Sequence, residues 1–225
     1  GKFSKGIGEK NTVIKLLNLL DKKKLIKNKK FEISVTKNIP QKSGMGGGSM
    51  NAASILKYLM KKKIVNISSK KAKELANKVG ADVFLGLEKK NSILFKSGKI
   101  ARLNNKLNFY VLIVMPKFGC STKNIFSRVR KFSKPMYFKA NKSFFKTNNL
   151  VNSNNDLENI VFKKHSKIEN LKFFLSNLPN VVFVRMTGTG SAVVAYFKSK
   201  KTVKNGEKIF KSKYKSYWYI VSKTI

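Results

Sequence analysis

Acidic residues are scarce in this 225-residue chain: 10 Asp and Glu stand against 49 Lys and Arg, a formal charge of +39. Cysteine is nearly absent, and the single Cys120 excludes an internal disulfide and argues against a cysteine-built metal site. No apolar run approaches the roughly 18 residues that a membrane span needs. Long apolar stretches such as Tyr110–Met115 and Val181–Val184 are strand-sized. The opening Gly1-Lys2-Phe3-Ser4 carries neither an apolar secretory core nor an Arg-rich amphipathic pattern, so a cytoplasmic protein without a membrane partner is the default. Arginine is rare too, confined to Arg102, Arg128, Arg130 and Arg185. Arg is the residue that grips phosphates and guanines with two prongs. The Lys excess runs along the whole chain, with Asn, Ile and Phe similarly plentiful, so the charge fits coding bias better than a nucleic-acid surface. A selected polyanion surface stays open as the alternative reading.

What is present is sufficient for a packed core. The apolar share is 42% and the aromatic share 11%, enough for one large domain or two small ones. Val13, Leu16, Leu17 and Leu20 form a helical stripe over Asn11–Leu25. Phe31, Ile33 and Val35 alternate with polar residues and predict a strand ending before Pro40. Helices are predicted over Asn51–Met60 and Ser69–Val79, the second stopped by Gly80. Short strands follow at Ile93–Phe95 and Ile100–Leu103 around Ser97-Gly98, then a strong one at Phe109–Met115. Ser121 or Thr122 is placed to cap a helix reaching Lys131. Lys134–Asn155 is polar and reads as irregular. Helices at Asp156–Lys163, Lys167–Leu178 and Val203–Lys211, with strands at Val181–Met186, Ala192–Phe197 and Tyr217–Val221, complete an α+β order. The halves, 1–104 and 105–225, are expected to divide near Asn104.

Two glycine-rich loops carry the chemistry. The first is Pro40-Gln41-Lys42-Ser43-Gly44-Met45-Gly46-Gly47-Gly48-Ser49-Met50-Asn51-Ala52-Ala53, between a predicted strand and a predicted helix. Its four glycines let the backbone approach a ligand and adopt positive φ. The helix that follows starts with N–H groups that lack internal partners and can face an anion. This is phosphate-binding logic without the GxxxxGK[ST] pattern, and a merely flexible turn is the bland alternative. The second loop, Thr187-Gly188-Thr189-Gly190-Ser191, joins two apolar strands, where a hairpin turn needs no function. Asp82, just after Gly80, reads from the sequence alone as a turn-stabilising residue.

The first loop resembles the second conserved motif of the GHMP kinases, Pro-x-x-x-Gly-Leu-Gly-Ser-Ser-Ala-Ala. It is more similar still to the GGGSSNAA form in the branch that acts on 4-diphosphocytidyl-2-C-methyl-D-erythritol. Other segments agree in order: Asn11-Thr12-Val13 before the first helix, Gly80-Ala81-Asp82-Val83 with GADVP, Asn155-Asp156-Leu157-Glu158 with NDLE, and Thr187–Ser191 with TGSGS. The likeness covers nearly the whole chain. It implies a ribosomal-S5-like N-terminal half, incomplete here, and a ferredoxin-like C-terminal half. It also implies transfer of phosphate from ATP, with Mg²⁺, to the 2-hydroxyl of that substrate, in the making of isoprenoid precursors. By the same resemblance Asp82 is the general base. Pro40, Gly44, Met45, Gly46, Gly47, Gly48, Ser49, Asn51, Asn11 and Lys37 hold the nucleotide, Ser49 is a candidate for the metal, and Thr187, Gly188, Thr189 and Gly190 line the substrate.

Three departures stand out. The chain begins after the places where the resemblance would put an Ala-Lys-Ile-Asn-Leu-like strand with a catalytic lysine and an Asp-Gly-Tyr-His-like segment, and it does not open on Met, so a sequence starting inside the first half is expected. Met50 occupies the position of a second serine, and a thioether is a poor partner for Mg²⁺. Phe84 follows Val83 where a proline is usual, which bears on where Asp82 points. Competing readings are another GHMP small-molecule kinase, an inactive relative, and a basic nucleic-acid-binding protein. Lone His165 reads as exposed, and Trp218 as core.

Overall fold

The structure, a computed structural model, describes residues 1–8, 11–95, 97–104, 106–134 and 141–224. Contacts divide the chain into two compact units: Gly1–Ile39 with Gly46–Lys89, and Pro40–Met45 with Lys90–Ile225. The contact division therefore falls before the Asn91–Leu103 hairpin, and the boundary expected near Asn104 falls after it.

The first unit is helical among its described residues. Helix α1 (Thr12–Lys22) is capped by Asn11, whose Oδ1 accepts from the amides of Val13 and Ile14 at 3.0 and 3.1 Å. It buries Val13, Leu16 and Leu20, the stripe that a period of 3.6 puts on one face. Helix α2 (Gly47–Lys61) answers with Ala52, Ala53, Leu56 and Leu59, and α3 (Ser69–Val79) with Ala72, Leu75, Ala76 and Val79. Gly80 ends α3 and opens the short α4 (Ala81–Leu85), whose Val83 is fully buried in the same core. Truncating a core leucine such as Leu56 would cost about 2–5 kcal/mol.

The strand predicted at Phe31–Val35 is not formed; the segment has no ladder partner among the described residues. Alternation supplies one apolar face, but a strand also needs a neighbour for its amides and carbonyls. Ile33 and Val35 stay exposed.

In the second unit, β1 (Asn91–Leu94) and β2 (Ile100–Leu103) pair as an antiparallel hairpin. A four-stranded antiparallel sheet runs in the order β4-β5-β3-β6, from β3 (Tyr110–Met115), β4 (Val181–Met186), β5 (Val193–Phe197) and β6 (Trp218–Lys223). Strand β3 is apolar on both faces because both are covered. Leu112 and Val114 join the main core, and Val111 packs with Phe109 and Val194 in a smaller cluster that includes Leu150. The intervening helices are α5 (Thr122–Phe126), α6 (Thr147–Asn152), α7 (Leu157–Lys164), α8 (Ser166–Ser176) and α9 (Lys200–Lys213). Leu171, Leu175, Val161, Val203 and Phe210 bring α7, α8 and α9 onto the main core.

Two expectations change here. Ser121 does cap α5, its Oγ accepting from the Asn124 amide, but the helix stops at Phe126 rather than Lys131. Only Ile125 of α5 is buried, so no apolar stripe sustains a longer helix. The polar stretch read as irregular over Lys134–Asn155 contains α6, held by Leu150 packing on the sheet; 135–140 lie outside the described residues. Trp218 is half-buried in β6.

Candidate functional site

Each unit holds one of the two glycine-rich loops. In the first unit, α2 begins inside the glycine run rather than at Asn51. Its first intrahelical bond is Met50 N to Gly46 O at 2.9 Å. The amides of Gly47, Gly48 and Ser49 therefore precede any internal acceptor, and none has a hydrogen-bond acceptor among the described residues. The first turn of α2 carries no acidic residue, so the positive end of a 15-residue helix is not neutralised from within.

Gly46, the N-cap, adopts a left-handed conformation with φ +64°. A Cβ placed there would lie 3.2 Å from Asp82 Oδ2. The absence of a side chain at Gly46 is thus what lets the Asp82 carboxylate reach the start of α2. On the other flank, a Cβ on Gly48 would lie 3.4 Å from Thr12 Oγ1, so the start of α1 borders the same turn. Asn11 is committed to capping α1, and its Nδ2 donates to Gly8 O at 3.0 Å. Lys37 is half-buried, and its carbonyl accepts from the Phe3 amide at 3.0 Å. Asn51 lies in the first turns of α2, half-buried.

Asp82 sits on a short helix that is braced from both ends. Lys15 Nζ donates to Val79 O, just before the α3–α4 corner, at 2.6 Å, and Lys57 Nζ donates to Gly86 O, just after α4, at 3.1 Å. Gly86 packs so closely on α2 that a Cβ there would meet Met50 Cε at 2.7 Å and Ala53 Cβ at 2.9 Å. The Met50 side chain is therefore a packing group against the end of α4. Phe84 follows Val83 within α4, and Asp82 keeps its place in the first helical turn.

In the second unit, Pro40–Met45 is strapped onto the other glycine loop. Ser43, 4% exposed, accepts from the Ala192 amide at 3.1 Å, and Lys42 O accepts from the Cys120 amide at 3.0 Å. Thr187 Oγ1 donates to Gly44 O at 3.1 Å. Gly44 has φ +75°, and a Cβ on it would lie 2.1 Å from Thr187 O; one on Gly188 would lie 2.8 Å from Gly44 O. The two loops meet backbone to backbone, with no room for side chains between them.

Residues to which the sequence assigned no role at the site hold the second loop in place. Asn155 Nδ2 donates to Met186 O and Gly188 O at 3.0 and 2.9 Å. The buried Glu158 accepts from the Met186 amide at 2.7 Å, and Lys172 Nζ is 2.5 Å from its other oxygen. Thr122 Oγ1 lies 3.3 Å from Thr189 Oγ1. The Asn155–Glu158 segment was visible as a motif, but nothing in its own pattern says that it braces a loop some thirty residues on. His165 is half-buried with its ring 5.1 Å from Phe118, not exposed, and burial with Lys164 alongside pushes its imidazole below the ordinary value. Cys120 is buried, and that burial pushes its thiol up.

The profile of the GHMP kinases N terminal domain matches residues 11–89. The chain is 48% identical over all its 225 residues to the 4-diphosphocytidyl-2-C-methyl-D-erythritol kinase of Pelagibacter ubique (strain HTCC1062), covering 80% of that protein. It belongs to this branch of the GHMP kinases. The kinase of the same name from Clostridium perfringens (strain SM101 / Type A) is 31% identical over 201 residues, 86% of this chain and 69% of that one. Solved GHMP kinases share the fold. A crystal structure of 4-(cytidine 5'-diphospho)-2C-methyl-D-erythritol kinase superposes with a TM-score of 0.78 at 20% identity, covering 97% of this chain and 80% of its own. Homoserine kinase from Cytophaga hutchinsonii gives 0.65 at 14% identity, covering 100% and 78%. The α+β expectation of a GHMP fold holds.

Proposed function

We propose that this chain transfers the γ-phosphoryl group of ATP to the 2-hydroxyl of 4-diphosphocytidyl-2-C-methyl-D-erythritol, a step toward isoprenoid (terpenoid) precursors, in the cytoplasm. The observation that carries the chemistry is one geometry: three free amides, Gly47, Gly48 and Ser49, at the positive end of α2, with the Asp82 carboxylate against Gly46. Amides so placed hold phosphate oxygens by hydrogen bonds and by the helix dipole. The Asp82 carboxylate takes the proton of the attacking hydroxyl as the new oxygen–phosphorus bond forms. The bond between Pγ and the bridging oxygen breaks, and ADP leaves. The relatives' shared name supports the acceptor. Thr187–Gly190, with Gly44 interlocked beneath, is the loop that we assign to the acceptor substrate.

The donors present suit Mg²⁺. No group of three or more His, Cys, Asp or Glu able to hold a metal occurs among the described residues, so a cation would rest on few protein oxygens and on the nucleotide. That is how Mg²⁺ is commonly held, through one or two carboxylates plus phosphates. The Ser49 hydroxyl is the protein group that would hold it, beside the nucleotide's phosphates, and when bound it would neutralise charge on the phosphate oxygens. Met50 contributes packing instead. Among the described residues no helix is long and apolar enough to cross a membrane.

The test is phosphate transfer from ATP to the cytidine-linked methylerythritol, with Asp82→Asn beside the parent. A general base contributes about 10²–10⁴-fold, so the variant's kcat should fall by that much while calorimetry shows Mg-ATP binding preserved. An Asp82→Asn protein as active as the parent removes Asp82 from the mechanism. A parent that binds no Mg-ATP removes the reading.

A further inference from the structure

Outside the glycine loops, the segment after α5 and the helix α7 line an open concavity of about 840 Å³ within the second unit. Its wall carries Arg128, Arg130, Lys131, Lys163 and Lys164, with Asp156 as its carboxylate. That carboxylate is engaged: Oδ2 accepts from both the amide and the hydroxyl of Ser133 at 2.9 Å. Arg128 Nε and Lys164 Nζ donate to the same neutral oxygen, Asn124 Oδ1, each at 3.1 Å. Arg130, Lys131 and Lys163 have no hydrogen-bond or ion-pair partner among the described residues.

Five cations thus converge on one concave surface against a single carboxylate that is already bonded. Like charges gathered on one surface repel, and a concavity focuses their field onto whatever enters it. Coding bias explains the lysines but not the arginines: of the chain's four, Arg128 and Arg130 share this wall. A guanidinium offers paired donors that match phosphate oxygens. The volume falls in the range of about 300–1,000 Å³ typical of small-molecule sites, too large for one phosphate ion alone.

We propose that this pocket is a second anion site, taking a small molecule that carries two or more linked phosphate groups, through residues distinct from the α2 amides.

The experiment uses the full chain and titrates inorganic pyrophosphate without metal, by calorimetry at physiological salt. Titrations run with and without a saturating non-hydrolysable Mg-ATP analogue. One-to-one binding that persists under the analogue is expected, weakened at least tenfold in Arg128→Ala/Arg130→Ala. Arg128→Lys/Arg130→Lys should fall between, since charge is kept and the paired donors are lost. A parallel titration with ADP separates the sources: tighter binding than pyrophosphate places a nucleoside in the pocket as well, and equal binding places the diphosphate alone. Circular dichroism checks that the variants fold. Three results overturn the proposal: no pyrophosphate binding, binding indifferent to the arginine changes, or binding abolished by the analogue. A fourth does so as well: single-stranded RNA binding with a steep salt dependence that pyrophosphate does not displace.

Discussion

Gly46→Ala tests the opening that admits the Asp82 carboxylate to the start of α2. Two costs arise from the structure. The residue holds φ +64°, where a Cβ crowds the following carbonyl at about 1–2 kcal/mol. The new methyl would also sit 3.2 Å from Asp82 Oδ2, so the carboxylate must give by a few tenths of an ångström. For a chain of this size each kcal/mol lowers the melting temperature by about 2–4 °C, so a fall of about 2–8 °C is expected in a thermal melt. The functional effect should be larger than so small a shift suggests, because a misplacement of about 1 Å near the reacting atoms can cost on the order of 10²-fold. We expect kcat to fall about tenfold or more in the phosphate-transfer assay. Gly47→Ala is the matched control for stability. Position 47 is helical, its φ is not positive, and among the described residues a new Cβ would meet Ile39 Cγ2 at 3.9 Å, an ordinary contact. Alanine in a helix gains about 0.5–1 kcal/mol over glycine, so Gly47→Ala should melt no lower than the parent. If Gly46→Ala keeps the parental melting temperature and kcat, the account of Gly46 as the opening for Asp82 is refuted.

Two further outcomes follow from local geometry. Gly86→Ala should destabilise by about 1–3 kcal/mol, the usual range for overpacking, and lower kcat, since the methyl presses on Ala53 and Met50 and lifts α4 with Asp82. Adding Met50→Ala should restore part of both, and a double mutant no better than the single one would dismiss the contact. On α9, burial pushes the Glu207 carboxyl up, but hydrogen bonds and charges from Lys204 and Lys211 outweigh it and hold the group below its ordinary value. Its contribution to stability is therefore complete above about pH 4.5 and fades as pH falls through the lower folded value. Denaturant unfolding from pH 7 to pH 3 should show the gap between parent and Glu207→Gln closing across that window; a constant gap would contradict the assignment.

How much of this was legible in the sequence depends on the range of the cause. The stripe of α1, the helix α3 with its stop at Gly80 and the strands of the main sheet follow from periodicity and stop signals within one segment, and they formed close to where they were read. The Phe31–Val35 strand failed because a ladder needs a second segment that alternation cannot supply. The α5 helix ended early because a cap starts a helix but only buried contact extends it. In the site, the glycines were read as room for a ligand against the backbone, and several of them also make room for other parts of the chain. What they approach was hidden: Gly46 makes way for a carboxylate, Gly44 and Gly188 for each other, Gly86 for Met50. The braces from Lys15 and Lys57 were hidden more deeply, since in a chain with 49 basic residues two functional lysines have no contrast.

Met50 shows how position within a motif differs from direction in space. Read along the chain, it is a serine lost from a phosphate loop, and a hydroxyl lost from a metal. Read on a helix, residue 50 lies three before Ala53, so both face one side. Ala53 is in the core and touches the place where a Cβ on Gly86 would stand. The face that Met50 presents is thus set by its helical neighbours, not by the glycines before it. A longer apolar side chain there fills the space that Gly86 leaves, and the amides of Gly47, Gly48 and Ser49 stay uncovered. Helical phase, available from the sequence once α2 is taken to start at Gly47, is the signal that separates a lost ligand from a gained contact.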